Sequence, residues 1–311
     1  MNRVLTTLWL VSAGAAVLSG PALCADRGKT DKPGGPQPAF ALEQTAHFAV
    51  LHSLDGNATA NLGDLLEAVF ARHLRAWRDA GFVTQAPATP MQWRCFDRPA
   101  AFQCYVEREE ADMPVDEPSF YSSRSDRVVI LRSVTEPRAD GSLPADDPMD
   151  LRRVSHEAAH QMAFDTGLQT RGVMYPFWVS EGLAVSMETA DLAKGEFGGD
   201  NPYRRARLVA AYRQNRLCPI GDFLVMTRAT GDGDRRADLY AQAWGAVRFL
   251  FNRDRRTFKR YLYLLAARPH GQRPVGALQE EISGAFGPVD AMQNDWQRFL
   301  REISESGSDA G

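Results

Sequence analysis

Val154-Ser155-His156-Glu157-Ala158-Ala159-His160-Gln161-Met162 is the stretch that decides how this chain folds. A helix turns 100° per residue, so positions four apart lie nearly in line and about 6 Å apart along the axis. His156 and His160 therefore share a face on which two imidazoles can hold one zinc ion. Glu157 stands beside the first of them, next to whatever the metal binds. The flanks read as a helix. Leu151, Val154, Ala158 and Met162 recur at helical spacing, Asp147 and Asp150 stand near the start, and Gly167 follows the end, which predicts a helix to about Phe164.

Working outward, a third ligand lies downstream. It is Glu181, in Pro176-Phe177-Trp178-Val179-Ser180-Glu181-Gly182-Leu183-Ala184-Val185. Catalytic zinc commonly takes three protein ligands and keeps one position open, and His-His-Glu is one such set. Two imidazoles and a carboxylate suit zinc among the divalent ions.

H-E-x-x-H at 156–160 followed by W-x-x-E-G-x-A at 178–184 resembles the gluzincin metallopeptidases, and more narrowly the secreted bacterial peptidase MA-like families. The resemblance spans about residues 118–250. It implies one Zn2+ held by His156, His160 and Glu181, with Glu181 on a second helix. It implies Glu157 as general base and a peptide or protein as substrate. It also implies a tyrosine opening a later helix as donor to the oxyanion. Tyr240, 59 residues beyond Glu181, matches that place, with Gln242 and Ala243 where lysine and glycine are often found. Tyr175, Tyr203 and His270 are weaker alternatives. In such proteins the last strand before the zinc helix borders the cleft, a role that falls here on Arg127–Leu131, with plain sheet core as the other reading. The G-x-M-E-N motif of the aminopeptidases of this group does not occur, which leaves endopeptidase action open. A zinc-containing binding or scaffold module, and an amidase acting on cell-wall peptides, are the rival functions.

Around the site, Glu188 lies seven residues past Glu181 and near the same helical face, where it can accept from a ligand histidine. Asp165 and Asp200 are further options. His47, His52 and His73 have no partner at ligand spacing and read as structural or solvated.

The whole chain of 311 residues is long enough to bury a sizeable core. Residues 1–25 read as a signal peptide, with Arg3 ahead of the apolar run Val4–Leu18 and small residues near Ala25. A signal anchor, or a lipoprotein through Cys24, are the alternatives. Cleavage leaves a periplasmic or secreted protein with no stable membrane span. Loss of Arg3 moves the net charge from −3 to −4. With no basic run carrying interleaved aromatics, nucleic acid is excluded as a partner. Cys95 and Cys104 can pair in an exported compartment, or remain thiols like Cys218.

The fold class expected is α+β: a small mixed-sheet lobe, a pair of active-site helices and a helical C-terminal lobe. Residues 26–39, rich in Gly, Pro, Lys and Asp, read as a disordered leader. Residues 40–134 form the α/β lobe and 135–304 the zinc-binding and helical lobe. Strands are expected at 47–51, 91–96, 119–121 and 127–131, and helices at 62–77 and 99–106. Residues 135–148 and 195–202 read as loops. Later helices are expected at 202–214, 237–251, 257–266, 275–286 and 289–303. Thr230-Gly231-Asp232-Gly233-Asp234 lacks the closing glutamate of an EF-hand and reads as a solvated loop.

Overall fold

The computed structural model describes residues 40–52, 62–111, 118–132, 148–188, 192–193 and 196–305. The signal peptide, the leader and nearly all of the 135–148 loop lie outside these residues. The fold is α+β, with one five-stranded mixed sheet and, among the described residues, ten helices.

The sheet is built from β1 (Ala41–Gln44), β2 (Phe48–His52), β3 (Met91–Phe96), β4 (Ser119–Ser122) and β5 (Arg127–Leu131), in the order β1-β2-β3-β5-β4. The inner pairs β2–β3 and β3–β5 are parallel, and the outer pairs β1–β2 and β4–β5 are antiparallel. Helix α1 (Leu62–Asp79) connects β2 to β3, as a parallel pair requires. Side chains alternate across the pleat. Phe48, Val50, Trp93, Cys95, Val128 and Ile130 bury against α1 and the zinc-motif helix. Phe96, Phe120 and Val129 bury on the other face against Phe102, Tyr105 and Val106 of α2 (Pro99–Glu109).

α3 (Pro148–Asp165) carries His156, Glu157 and His160. α4 (Phe177–Val185) carries Glu181. Beyond them come α5 (Pro202–Arg213), α6 (Ile220–Leu224), α7 (Gly233–Arg253), α8 (Arg255–Ala266), α9 (Val275–Phe286) and α10 (Val289–Glu305). No helix among the described residues is long and apolar enough to cross a membrane. A single apolar cluster runs from Phe48 in the sheet to Ile303 in α10.

One expectation changes, two open alternatives are settled, and the 195–202 loop stands in its described part. β5 is an interior strand, paired on both sides, and β4 forms the sheet edge. The strand that borders the cleft is therefore β4, because the hairpin turns its first strand outward. Cys95 is a buried thiol in β3 and forms no disulfide with Cys104. The 230–234 segment is a helix start: Asp232 accepts from Arg235 N at 2.8 Å and caps α7. The 196–202 segment is a loop up to Pro202, as read, and Phe197 anchors it by packing edge-on against Phe82 and Phe251.

Candidate metal centre and its cavity

α3 presents one face to the sheet and core and the other to a cavity of about 540 Å³. Val154, Ala158 and Met162 are buried in the core, as the periodicity requires. Two groups on α1 fasten the site from behind. His73 Nε2 donates to Ser155 O at 2.9 Å, and Arg72 Nη1 donates to Met187 O at 2.8 Å. One helix thus grips both ligand-bearing segments.

α4 is set by its apolar neighbours. Trp178 donates from Nε1 to Leu224 O at 3.0 Å and stacks on Tyr261 at 5.9 Å. Gly182 lies so close to α7 that a Cβ there would meet Ala243 O at 2.9 Å and Val247 Cγ2 at 2.5 Å. The small residue lets two helix backbones approach, and that approach delivers Glu181 to the cavity.

There His156 Nε2 and His160 Nε2 are 3.1 Å apart, and Glu181 Oε2 lies 3.3 Å from each. Three donors about 2.0–2.1 Å from one tetrahedral ion stand about 3.3 Å apart, so the triangle fits a zinc ion. Glu181 Oε2 is also buried with no hydrogen-bond partner among the described residues. Among those residues these three form the one cluster able to hold a metal ion.

The electrostatics favour a cation at the same place. Burial works against a charged His156, but the carboxylates of Glu181 and Glu188 outweigh it and raise its pKa to about 10. Burial likewise pushes Glu181 upward, and His160 and His156 outweigh it, holding the carboxyl well below the usual range.

Glu188 takes the supporting place. His156 Nδ1 donates to Glu188 Oε1 at 3.1 Å, which leaves Nε2 directed at the metal position. Glu188 is fixed by Arg204, which donates from Nε to Oε2 at 2.8 Å and from Nη2 to Oε1, and by Asn201 Nδ2 at 3.4 Å. Burial raises the Glu188 pKa, but the Arg204 guanidinium and His156 prevail and hold it at about 2. Asp165 and Asp200 serve elsewhere, pairing with Arg171 and Arg205.

Glu157 is in the cavity wall but outside the ligand triangle. Ser119 Oγ, at the start of β4, donates to Glu157 Oε1 at 2.9 Å, and both residues are buried. Tyr240 also lines the cavity, its ring 6.0 Å from that of His156 and 5.5 Å from that of Phe177. Tyr203 lines the outer wall and is 44% exposed. Tyr175 is turned inward and accepts from Thr170 N at 2.8 Å. His270 packs against Gly172, away from the cavity lining.

Sequence reasoning missed Ser119, Arg204, Tyr121 and the pair Arg152 and Arg153, all in the cavity wall. The pair was findable, because Arg152 stands four residues before His156 on the same stripe of α3. Ser119 and Arg204 carry no local signal.

Residues 150–270 match the model of a family described as a protein of unknown function (DUF1570). The matched span takes in the three candidate metal ligands, Glu157, Glu188, Arg204 and Tyr240. No curated protein matches the chain.

Proposed function

We propose that this is an exported zinc-dependent metallopeptidase that hydrolyses peptide bonds in the cavity between β4 and the α3–α4 pair. One observation carries the proposal: two histidine nitrogens and a glutamate oxygen lie 3.1–3.3 Å apart, with a separate glutamate beside them in the same cavity. His156, His160 and Glu181 would hold the ion. A bound zinc ion supplies Lewis acidity, lowering the pKa of water toward about 7 and polarising the carbonyl to be cut. Glu157, steadied by Ser119, takes the proton of the attacking water and passes it to the leaving amine. Tyr240 is assigned the hydrogen bond to the carbonyl oxygen as it becomes anionic. β4, the sheet edge, offers main chain along which an extended peptide can lie.

The test is cleavage of a mixed peptide library, read by mass spectrometry, by zinc-loaded wild type and Glu157→Gln. Cuts by the wild type that the variant does not make, with one zinc per chain in both, are expected. Zinc in both and cuts by neither would move the assignment to a binding module.

A further inference from the structure

Arg204 stands where its own helix gives it no support. It is the third residue of α5, and Asn201 caps that helix by accepting from Arg204 N at 3.2 Å. A cation in a first turn faces the positive end of the helix dipole. The side chain is also only 15% exposed. Glu188 holds it there, accepting from both Nε and Nη2 of the guanidinium. Two parallel bonds to one carboxylate fix the plane of the group as well as its place.

The guanidinium so placed lies over a second residue of the cavity. Arg204 Cζ is 5.6 Å from the ring centroid of Tyr240, and Tyr203, on the outer wall, is 5.2 Å from the same atom. A guanidinium is attracted to the negative face of an aromatic ring. The Tyr240 ring is in turn 6.0 Å from the ring of His156, whose Nδ1 donates to Glu188 Oε1 at 3.1 Å. The four groups close a circuit: Arg204 to Glu188, Glu188 to His156, His156 to Tyr240, and Tyr240 back to Arg204.

The helices that carry this circuit are tied independently of it. Arg207, three residues on in α5, donates from Nε to Asp238 Oδ1 at 2.5 Å, and Asp238 is buried two residues before Tyr240 in α7. Loss of the Arg204 side chain leaves that ion pair between α5 and α7 in place.

Resting on the peptidase function above, we propose that Arg204 is a positioning residue that holds His156, the candidate zinc ligand, in register with Tyr240, the assigned donor to the oxyanion. It acts through Glu188 on one side and the Tyr240 ring on the other. The fork keeps Glu188 aimed at His156 and so supports metal affinity. The planar face keeps the Tyr240 ring in place and so aims its hydroxyl. Lysine can supply the charge for Glu188 but neither the fork nor the plane.

Two double-mutant cycles test this. In the first, zinc affinity by chelator competition is read for Arg204→Met, Glu188→Gln and the pair. Arg204→Met is expected to lower it about tenfold, and to add less than about threefold to Glu188→Gln. In the second, Arg204→Met, Tyr240→Phe and the pair are compared in two readouts. One is the affinity of cobalt-loaded protein for acetohydroxamate, a small metal-binding ligand with a carbonyl oxygen, read from the visible spectrum. The other is kcat and KM of zinc-loaded protein on a peptide that the wild type cuts. Arg204→Met is expected to lower the acetohydroxamate affinity and kcat about tenfold with KM unchanged, and to add less than about threefold to Tyr240→Phe. Arg204→Lys is expected to keep zinc affinity within about threefold of the wild type while kcat stays low. Melting temperatures verify the fold, and the lysine variant carries the second cycle if the methionine variant does not fold. Losses that add in either cycle overturn the proposal, as does full kcat in Arg204→Met or Arg204→Lys. A wild type that holds zinc and cuts nothing sinks the peptidase function instead, and the zinc and acetohydroxamate cycles still decide the role of Arg204.

Discussion

Ser119 and Glu157 come from elements that share no local sequence pattern, yet their 2.9 Å hydrogen bond decides where the Glu157 carboxylate points, and with it the base of the proposed reaction. A carboxylate can only accept, so the serine is the donor and one oxygen of Glu157 is tied to the sheet edge. The other oxygen keeps its direction without a search through rotamers. Ser119→Ala is expected to lower kcat about tenfold, equivalent to about 1.4 kcal/mol on the barrier, with KM and zinc content unchanged. Ser119→Thr is expected to restore most of it, and an alanine variant with full kcat would mean that Glu157 needs no such support. The closeness of His156 and His160 was legible at this scale, because helical geometry fixes it from their spacing alone. Glu188 reads as an option on a helical face, but the helix ends at Val185, and Glu188 meets His156 from the segment beyond. Ser119 and Arg204 were not legible, since each meets its glutamate only after the chain has folded.

Helix α4 depends on one missing methyl group. Gly182 sits where a Cβ would press on the backbone of α7 at Ala243 O, and backbone cannot yield as a side-chain tip can. Gly182→Ala is expected to cost about 1–3 kcal/mol. It is also expected to weaken zinc binding by displacing Glu181, measurable by urea unfolding and by chelator competition. Unchanged zinc affinity would show that the two helices can part without moving the ligand. Element positions were readable where the apolar period was long: α1, α9 and α10 begin where the pattern begins. β1 escaped because its four residues are only partly buried and show little alternation. α6, with five residues, is too short to establish a period. Whether β5 lay at the cleft or in the sheet core stayed open in the sequence, because sequence order does not say which strand of a hairpin lies outside.

At the scale of the molecule, the continuous core has an uncharged histidine built into it. Burial, helped by the neighbouring Arg72 guanidinium, pushes the pKa of His73 from 6.5 to about 3. Between those values the unfolded chain binds a proton that the folded chain refuses. This contribution to stability is therefore complete above about pH 6.5 and declines by about 1.4 kcal/mol per pH unit below it, down to about pH 3. Urea unfolding at pH 7.5, 6 and 5 is expected to show that decline. His73→Asn, which keeps a donor for Ser155 O, is expected to flatten it; an equal slope in both would place the sensitivity elsewhere. The edge position of β4 has a different consequence, for solubility. An open strand edge is a template on which a second copy of the chain can add its own strand, the first step toward aggregation. Here the edge is four residues long and borders a cavity that Arg152 and Arg153 also line. A short edge beside two arginines discourages a growing stack of sheets, so the opening that the proposed substrate would need is kept closed to the protein's own copies.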